Sequence, residues 1–129
     1  MNKSILITAT VLGVLSVILG AFAAHGLKKL ISPEALNTFE TGVKYQMYHA
    51  LFLLFVGSTT YISCGFISAI FYLVIVGVVF FSGSIYGLAT NSLSSFDFKK
   101  IAFITPIGGL LLILSWMVLL FNFIKFKPD

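Results

Sequence analysis

The stretch TGVKYQMYHALFLLFVGSTTY, residues 41–61, is apolar enough to enter a membrane yet keeps its polar groups on one side. At about 100° per residue, Gly42, Tyr45, Gln46, His49, Leu53, Val56 and Thr60 share one stripe of a helix. Lys44, Met47, Tyr48, Leu51 and Phe55 fall opposite, a face suited to lipid, with Lys44 near enough to an interface to snorkel. Gln46 and His49 are costly in hydrocarbon unless they find partners. A helix of this kind needs neighbours, so the stretch reads as one member of a helical bundle in a membrane.

The rest of the chain supplies the neighbours. Apolar runs at residues 5–24, 45–61, 66–89 and 101–124 are each near the ~20 residues that cross a bilayer core. Of the 129 residues, 59% are hydrophobic and 9% charged, and the mean hydropathy is +1.08. Soluble domains carry about 25% charged residues, which excludes a water-soluble globule. The expected architecture is all-α: a single domain forming a four-helix transmembrane bundle. The net charge of +4 comes from lysines scattered over loops and ends, with no arginine. That is membrane-flank chemistry, and no nucleic-acid partner is expected. The lone Cys64 excludes an intrachain disulfide and any CxxC motif.

Between the first two runs, Ser32-Pro33-Glu34 reads as a helix start, with serine capping, proline in the first turn and glutamate complementing the dipole. A short interfacial helix is expected from there, its apolar side formed by Leu36, Phe39 and Val43, leading into the second span. Pro106 falls in the first turn or so of the fourth span, where a missing N–H does little harm. Lys3, an apolar stretch and Ala21-Phe22-Ala23 also fit a secretory signal, but the run is longer than most signal cores and is read as a span.

Four consecutive spans alternate in direction. The end of the first, the start of the second, the end of the third and the start of the fourth therefore share one leaflet. Those places carry His25; Tyr45, Gln46 and His49; Ser82, Ser84 and Tyr86; and Thr105. The opposite leaflet is mostly Leu, Ile, Val and Phe. These eight residues are the candidate site, read as a polar cluster or ligand-binding set. Ala9, Gly13, Ser16, Gly20 and Ala24 line the first span as a small-residue stripe suited to close helix packing. Gly108 and Gly109 after Thr105-Pro106 are read as a tightly packed helix entry.

His25 and His49 are the only histidines, and a pair on facing helices is a conceivable haem or metal set. No third ligand is evident, because Glu40 falls on the other face of its helix; neither metal nor cofactor is expected. There is no GxSxG, HExxH or phosphate-cradling loop, and no catalytic residue is assigned.

The motifs GAFAAHGL (residues 20–27), TGVKYQMYHAL (41–51), FSGSIY (81–86) and TPIGG (105–109), followed by Trp116, occur in one order across nearly the whole chain. In this set the sequence resembles the domain-of-unknown-function 423 family, the YgdD/YwdK-like small membrane proteins. Ala23 stands where relatives often have Gly, and Ser115 precedes Trp116 where Gly is common. The resemblance implies a four-span integral membrane protein and brings no established activity with it.

The leading functional expectation is a multi-pass protein of the cell membrane that binds a lipid, an amphiphile or a partner membrane protein. The alternative is a small transporter or channel formed by self-association, since one 14.1 kDa bundle leaves little room for a conduit. A redox protein using His25 and His49 ranks third. Membrane lipids, a second copy or another membrane protein are the expected partners. Lysine counts on the loops slightly favour both termini outside, whereas the more basic C-terminal tails of relatives favour both inside, the orientation adopted here.

Overall fold

A computed structural model describes residues 2–128; Asp129, expected to follow the last span, lies outside the described residues. Among these the protein is all-α, without strands. Helix α1, Asn2–Ala24, ends at a turn before a 3-10 turn at Leu27–Lys29. Helix α2 is Pro33–Ser58 and α3 is Cys64–Val78. A π-helical turn, Val79–Gly83, carries α3 into α4, Ser84–Ala89. Helix α5 is Ile104–Lys125. Three of the rods are long and apolar enough to cross a membrane by length and composition: Asn2–Lys29, Cys64–Ala89 and Ile104–Lys125. Helix α2 is of similar length, but Glu34, Glu40 and Lys44 lie in its first half.

The start of α2 is as the sequence leads one to expect. The Ser32 side chain accepts the Ala35 N–H at 3.1 Å, and Pro33 opens the helix. The separate interfacial helix is not found: its residues are the first turns of one unbroken 26-residue helix. The cause is packing. Phe39 is 3% exposed and sits with Ala23, Leu27 and Ala89, while Leu36 and Val43 pack against the same cluster. Those side chains hold the segment against the bundle, and nothing in residues 40–45 breaks the helix. The fourth helix also starts later than expected, at Ile104, after a 3-10 turn at Phe98–Ile101. That turn is held by Asn91, whose Oδ1 accepts the Phe98 N–H at 2.8 Å, and by Asp97, which accepts the Lys99 N–H at 3.1 Å. Pro106 is the third residue of α5, where its missing N–H would have had no intrahelical partner.

Helices α1 and α2 run antiparallel along their full lengths. A Cβ on Gly20 would lie 3.6 Å from Val43, and one on Gly57 would lie 3.1 Å from Ile5. Lipid offers little hydrophobic drive for helices to associate, so close backbone approach and interhelical hydrogen bonds carry the packing. At Gly108 the approach is extreme: a Cβ would fall 2.3 Å from the Phe81 nitrogen and 2.7 Å from the Phe80 carbonyl carbon. Only glycine lets α5 lie directly on the π turn.

Two apolar clusters fill the bundle. The larger includes Ile5, Leu53, Val56, Ile70, Val74 and Leu119 and lies towards the end where Ile62 also packs. The smaller is the Phe39 cluster at the opposite end. At the first end Asn122, 4% exposed, ties the α2–α3 connection to α5. Its Oδ1 accepts the Ser63 N–H at 3.1 Å and its Nδ2 donates to the Tyr61 carbonyl at 2.9 Å. Polar ties between the helices run from Gly42 to His49 along α2, partly alongside the larger cluster.

Candidate functional site

These ties are built outward from the polar stripe of α2. Gln46, 4% exposed, donates from Nε2 to the Leu12 carbonyl of α1 at 2.9 Å and accepts the Tyr86 hydroxyl of α4 on Oε1 at 2.6 Å. One side chain thus bridges three rods. Ser16 donates to the same Leu12 carbonyl at 2.8 Å, so both side-chain donors converge on one acceptor. The phenol ring of Tyr86 packs on Phe39 at a centroid distance of 4.9 Å, which holds its hydroxyl towards α2.

The π turn aims the two serines of FSGSIY at different helices. Ser82, 1% exposed, donates to the Gly42 carbonyl of α2 at 2.8 Å. Ser84 shares a hydrogen bond with the Thr105 hydroxyl of α5 and also engages the Phe80 and Phe81 carbonyls. A π turn inserts a residue and disturbs the regular ladder, and side-chain hydroxyls take up carbonyls there.

His49 makes the fourth tie. The Trp116 indole, which is only a donor, gives its Nε1–H to His49 Nε2 at 3.2 Å. Nε2 must therefore be the unprotonated nitrogen, which assigns the proton to Nδ1. From there it is donated to the Tyr45 carbonyl one turn back, at 2.7 Å. His49 is fixed as the neutral Nδ1–H tautomer, with both ring nitrogens engaged. Phe52 stacks on the Trp116 ring, with centroids 4.1 Å apart and planes 18° apart, and so fixes the indole.

Of the eight candidates, Gln46, His49, Ser82, Ser84, Tyr86 and Thr105 enter these interhelical ties. Tyr45 contributes its backbone carbonyl, and its exposed ring packs edge-on against Phe81 at 5.2 Å. His25 is not brought in. It lies on the exposed turn after α1, about 15 Å from the level of His49 by helical rise along the antiparallel α1–α2 pair. The two histidines therefore do not form one ligand set. Among the described residues, no group of three or more His, Cys, Asp or Glu is placed to hold a metal ion. No buried side-chain nitrogen or oxygen among them lacks a hydrogen-bond partner.

Sequence reasoning did not place Trp116, Ser16 or Asn122 in polar contacts. Trp116 was visible only as the residue following the last motif. Ser16 looked like a packing residue, and Asn122 stood alone in an apolar run. No local pattern marks the π turn.

Beside His49 a cleft of about 300 Å³ opens between α2 and α5, lined by Tyr45, His49, Phe81, Gly109, Ile113 and Trp116. The hydrogen-bonded His49–Trp116 pair contributes to its lining, which is otherwise apolar apart from Tyr45.

Residues 19–109 match the profile described as "Protein of unknown function (DUF423)". The chain belongs to this family. It is 39% identical over 127 residues to a UPF0382 membrane protein of Staphylococcus haemolyticus, covering 96% of this chain and 98% of the relative. It is 36% identical to the UPF0382 membrane protein YwdK of Bacillus subtilis, covering 96% and 98%. It is 35% identical to the UPF0382 inner membrane protein YgdD of Escherichia coli, covering 98% of this chain and 93% of that one. No solved structure matches the chain. With its apolar rods and relatives named as membrane proteins, the chain is an integral membrane protein.

Proposed function

We propose that this protein spans the plasma membrane four times and holds a lipid or similar amphiphile in the lateral cleft between α2 and α5. The four-span arrangement is supported by the antiparallel packing of α2 on α1. Gly57 near the end of α2 meets Ile5 and Leu6 near the start of α1, so a membrane crossed by α1 is crossed by α2 as well. The E. coli relative is named an inner membrane protein, which fits a plasma-membrane location. Four crossings place Cys64, exposed at the start of α3, on the same side as both chain ends. A membrane-impermeant maleimide applied to spheroplasts should therefore label Cys64 only under conditions that also expose a C-terminal tag. Labelling from opposite sides would reject the arrangement.

The observation carrying the binding reading is the cleft itself. At about 300 Å³ it lies at the lower end of small-molecule sites, is walled by apolar side chains, and is backed by groups fixed through hydrogen bonds. Because His49 and Trp116 already satisfy each other, the cleft suits an acyl chain better than a polar molecule. Trp116 is the only tryptophan, which makes its fluorescence a direct reporter. Titrating a bromine-labelled phospholipid into detergent-solubilised protein should quench Trp116 saturably. Gly109→Leu or Ile113→Phe, each adding bulk to the cleft, should weaken that quenching severalfold. Linear, unsaturable quenching, unchanged by either substitution, would reduce the cleft to ordinary lipid contact and reject the proposal.

A further inference from the structure

We infer a second lipid site, on the opposite face of α2: a phospholipid with a zwitterionic, primary-amine headgroup lies along the outer seam of α1 and α2. The seam holds an apolar groove of about 500 Å³ lined by residues such as Gly13, Val14, Val17, Met47 and Leu51. Thr10 also lines it, but its hydroxyl donates to the Leu6 and Ile7 carbonyls of its own helix at 2.9 Å, leaving the groove without a free polar donor there. The groove runs from Ala9 to Ile18 on α1, about 14 Å at helical rise. One leaflet of a hydrocarbon core is about 15 Å deep, so the groove has the length of one leaflet's acyl chain.

Towards the loop end, the same seam contains a hollow of about 190 Å³ lined by Gly20, Ala24, Val43, Glu40 and Lys44. On α2 the lining positions of groove and hollow are 40, 43, 44, 47, 50, 51 and 54, each three or four residues from another of the set. They form one continuous face. The hollow sits where a headgroup belongs if the chain lies in the groove, and it presents one cation and one anion. A phosphate paired with Lys44 and an ammonium paired with Glu40 satisfy both charges. An anionic headgroup without an amine would set its charge beside Glu40 with nothing in return. A quaternary amine has no N–H to donate to the carboxylate. This site shares no lining residue with the Trp116 cleft and does not depend on that reading.

The test is native mass spectrometry of the full-length protein released from nanodiscs containing equal parts phosphatidylethanolamine, phosphatidylcholine and phosphatidylglycerol with identical acyl chains. The expected result is retained phosphatidylethanolamine, favoured about threefold over each competitor, as a partly exposed charge pair allows. Glu40→Gln should remove the preference over phosphatidylglycerol, and Lys44→Gln should lower total retention. Val14→Trp combined with Val17→Trp fills the groove from exposed positions and should abolish selective retention while the circular dichroism and elution volume stay unchanged. Equal retention of the three lipids, a preference for phosphatidylglycerol, or undiminished phosphatidylethanolamine in the groove-filled variant would each overturn the inference.

Discussion

Gly108→Ala is expected to be the most damaging single-methyl change in this protein, lowering its stability by about 2 kcal/mol net. The added Cβ would sit 2.3 Å from the Phe81 nitrogen, 2.7 Å from the Phe80 carbonyl carbon and 2.9 Å from the Gly77 oxygen. All three are backbone atoms, so no side chain can swing aside. Bringing the closest contact to an ordinary 3.4 Å requires α5 to move off the π turn by about 1 Å, the difference between 3.4 and 2.3. Overpacking of this kind costs about 3 kcal/mol at the upper end of its usual range, offset by about 1 kcal/mol from alanine's better helix propensity. The shift also strains the Ser84–Thr105 bond, which joins α4 to α5 beside the π turn, and loads the His49–Trp116 bond, which ties α5 to α2. Gly65→Ala is the matched control: nothing lies within 4 Å of a Cβ there, near the start of α3. Unfolding of the two variants in mixed micelles, followed by Trp116 fluorescence, should separate them clearly. Equal stability would show that the α5 contact is not where the packing energy lies.

The contrast between these glycines indicates how far the sequence could be read. Gly108 and Gly65 look alike on paper; what separates them is which backbone stands opposite, a property of pairing that no single helix carries. The apolar rods and the polar stripe on α2 were legible because each depends only on composition or the 3.6-residue period. Gln46 and His49 do face inward, as their spacing demands. The partners were harder to read. Gln46 bonds to a backbone carbonyl at Leu12, and every residue has one. His49 meets Trp116, whose apolar bulk suits a lipid-facing reading equally well. The unbroken α2 was missed because the three charges in its first half resemble an interfacial segment, whereas Phe39 docking beside Ala23 and Leu27 is a tertiary event. His25 was grouped with His49 because alternation of spans assigns a membrane side but no depth. Helical rise then separates the two by about 15 Å.

The polar ties give a second large expectation, and it is one of non-additivity. Gln46→Leu removes both the bond to the Leu12 carbonyl and the acceptor of the Tyr86 hydroxyl, leaving that hydroxyl without its partner between apolar clusters. The expected cost is about 2 kcal/mol, for two lost hydrogen bonds of about 1 kcal/mol each. Tyr86→Phe strands Gln46 Oε1 and should cost about 1 kcal/mol. The double substitution leaves no orphan on this pair, so its cost should fall about 1 kcal/mol below the sum of the singles. Steric-trapping measurements in bicelles would supply the cycle, and strictly additive costs would show that the 2.6 Å contact is not a working hydrogen bond. The magnitude matters beyond stability. Interhelical hydrogen bonds in membranes average only about 0.6 kcal/mol, with a maximum near 1.7. A coupling at the upper end marks the Gln46–Tyr86 pair as the fastener that holds α1, α2 and α4 in register. A coupling near zero would shift the explanation for the four polar ties from holding the bundle together to positioning the His49–Trp116 pair beside the lateral cleft.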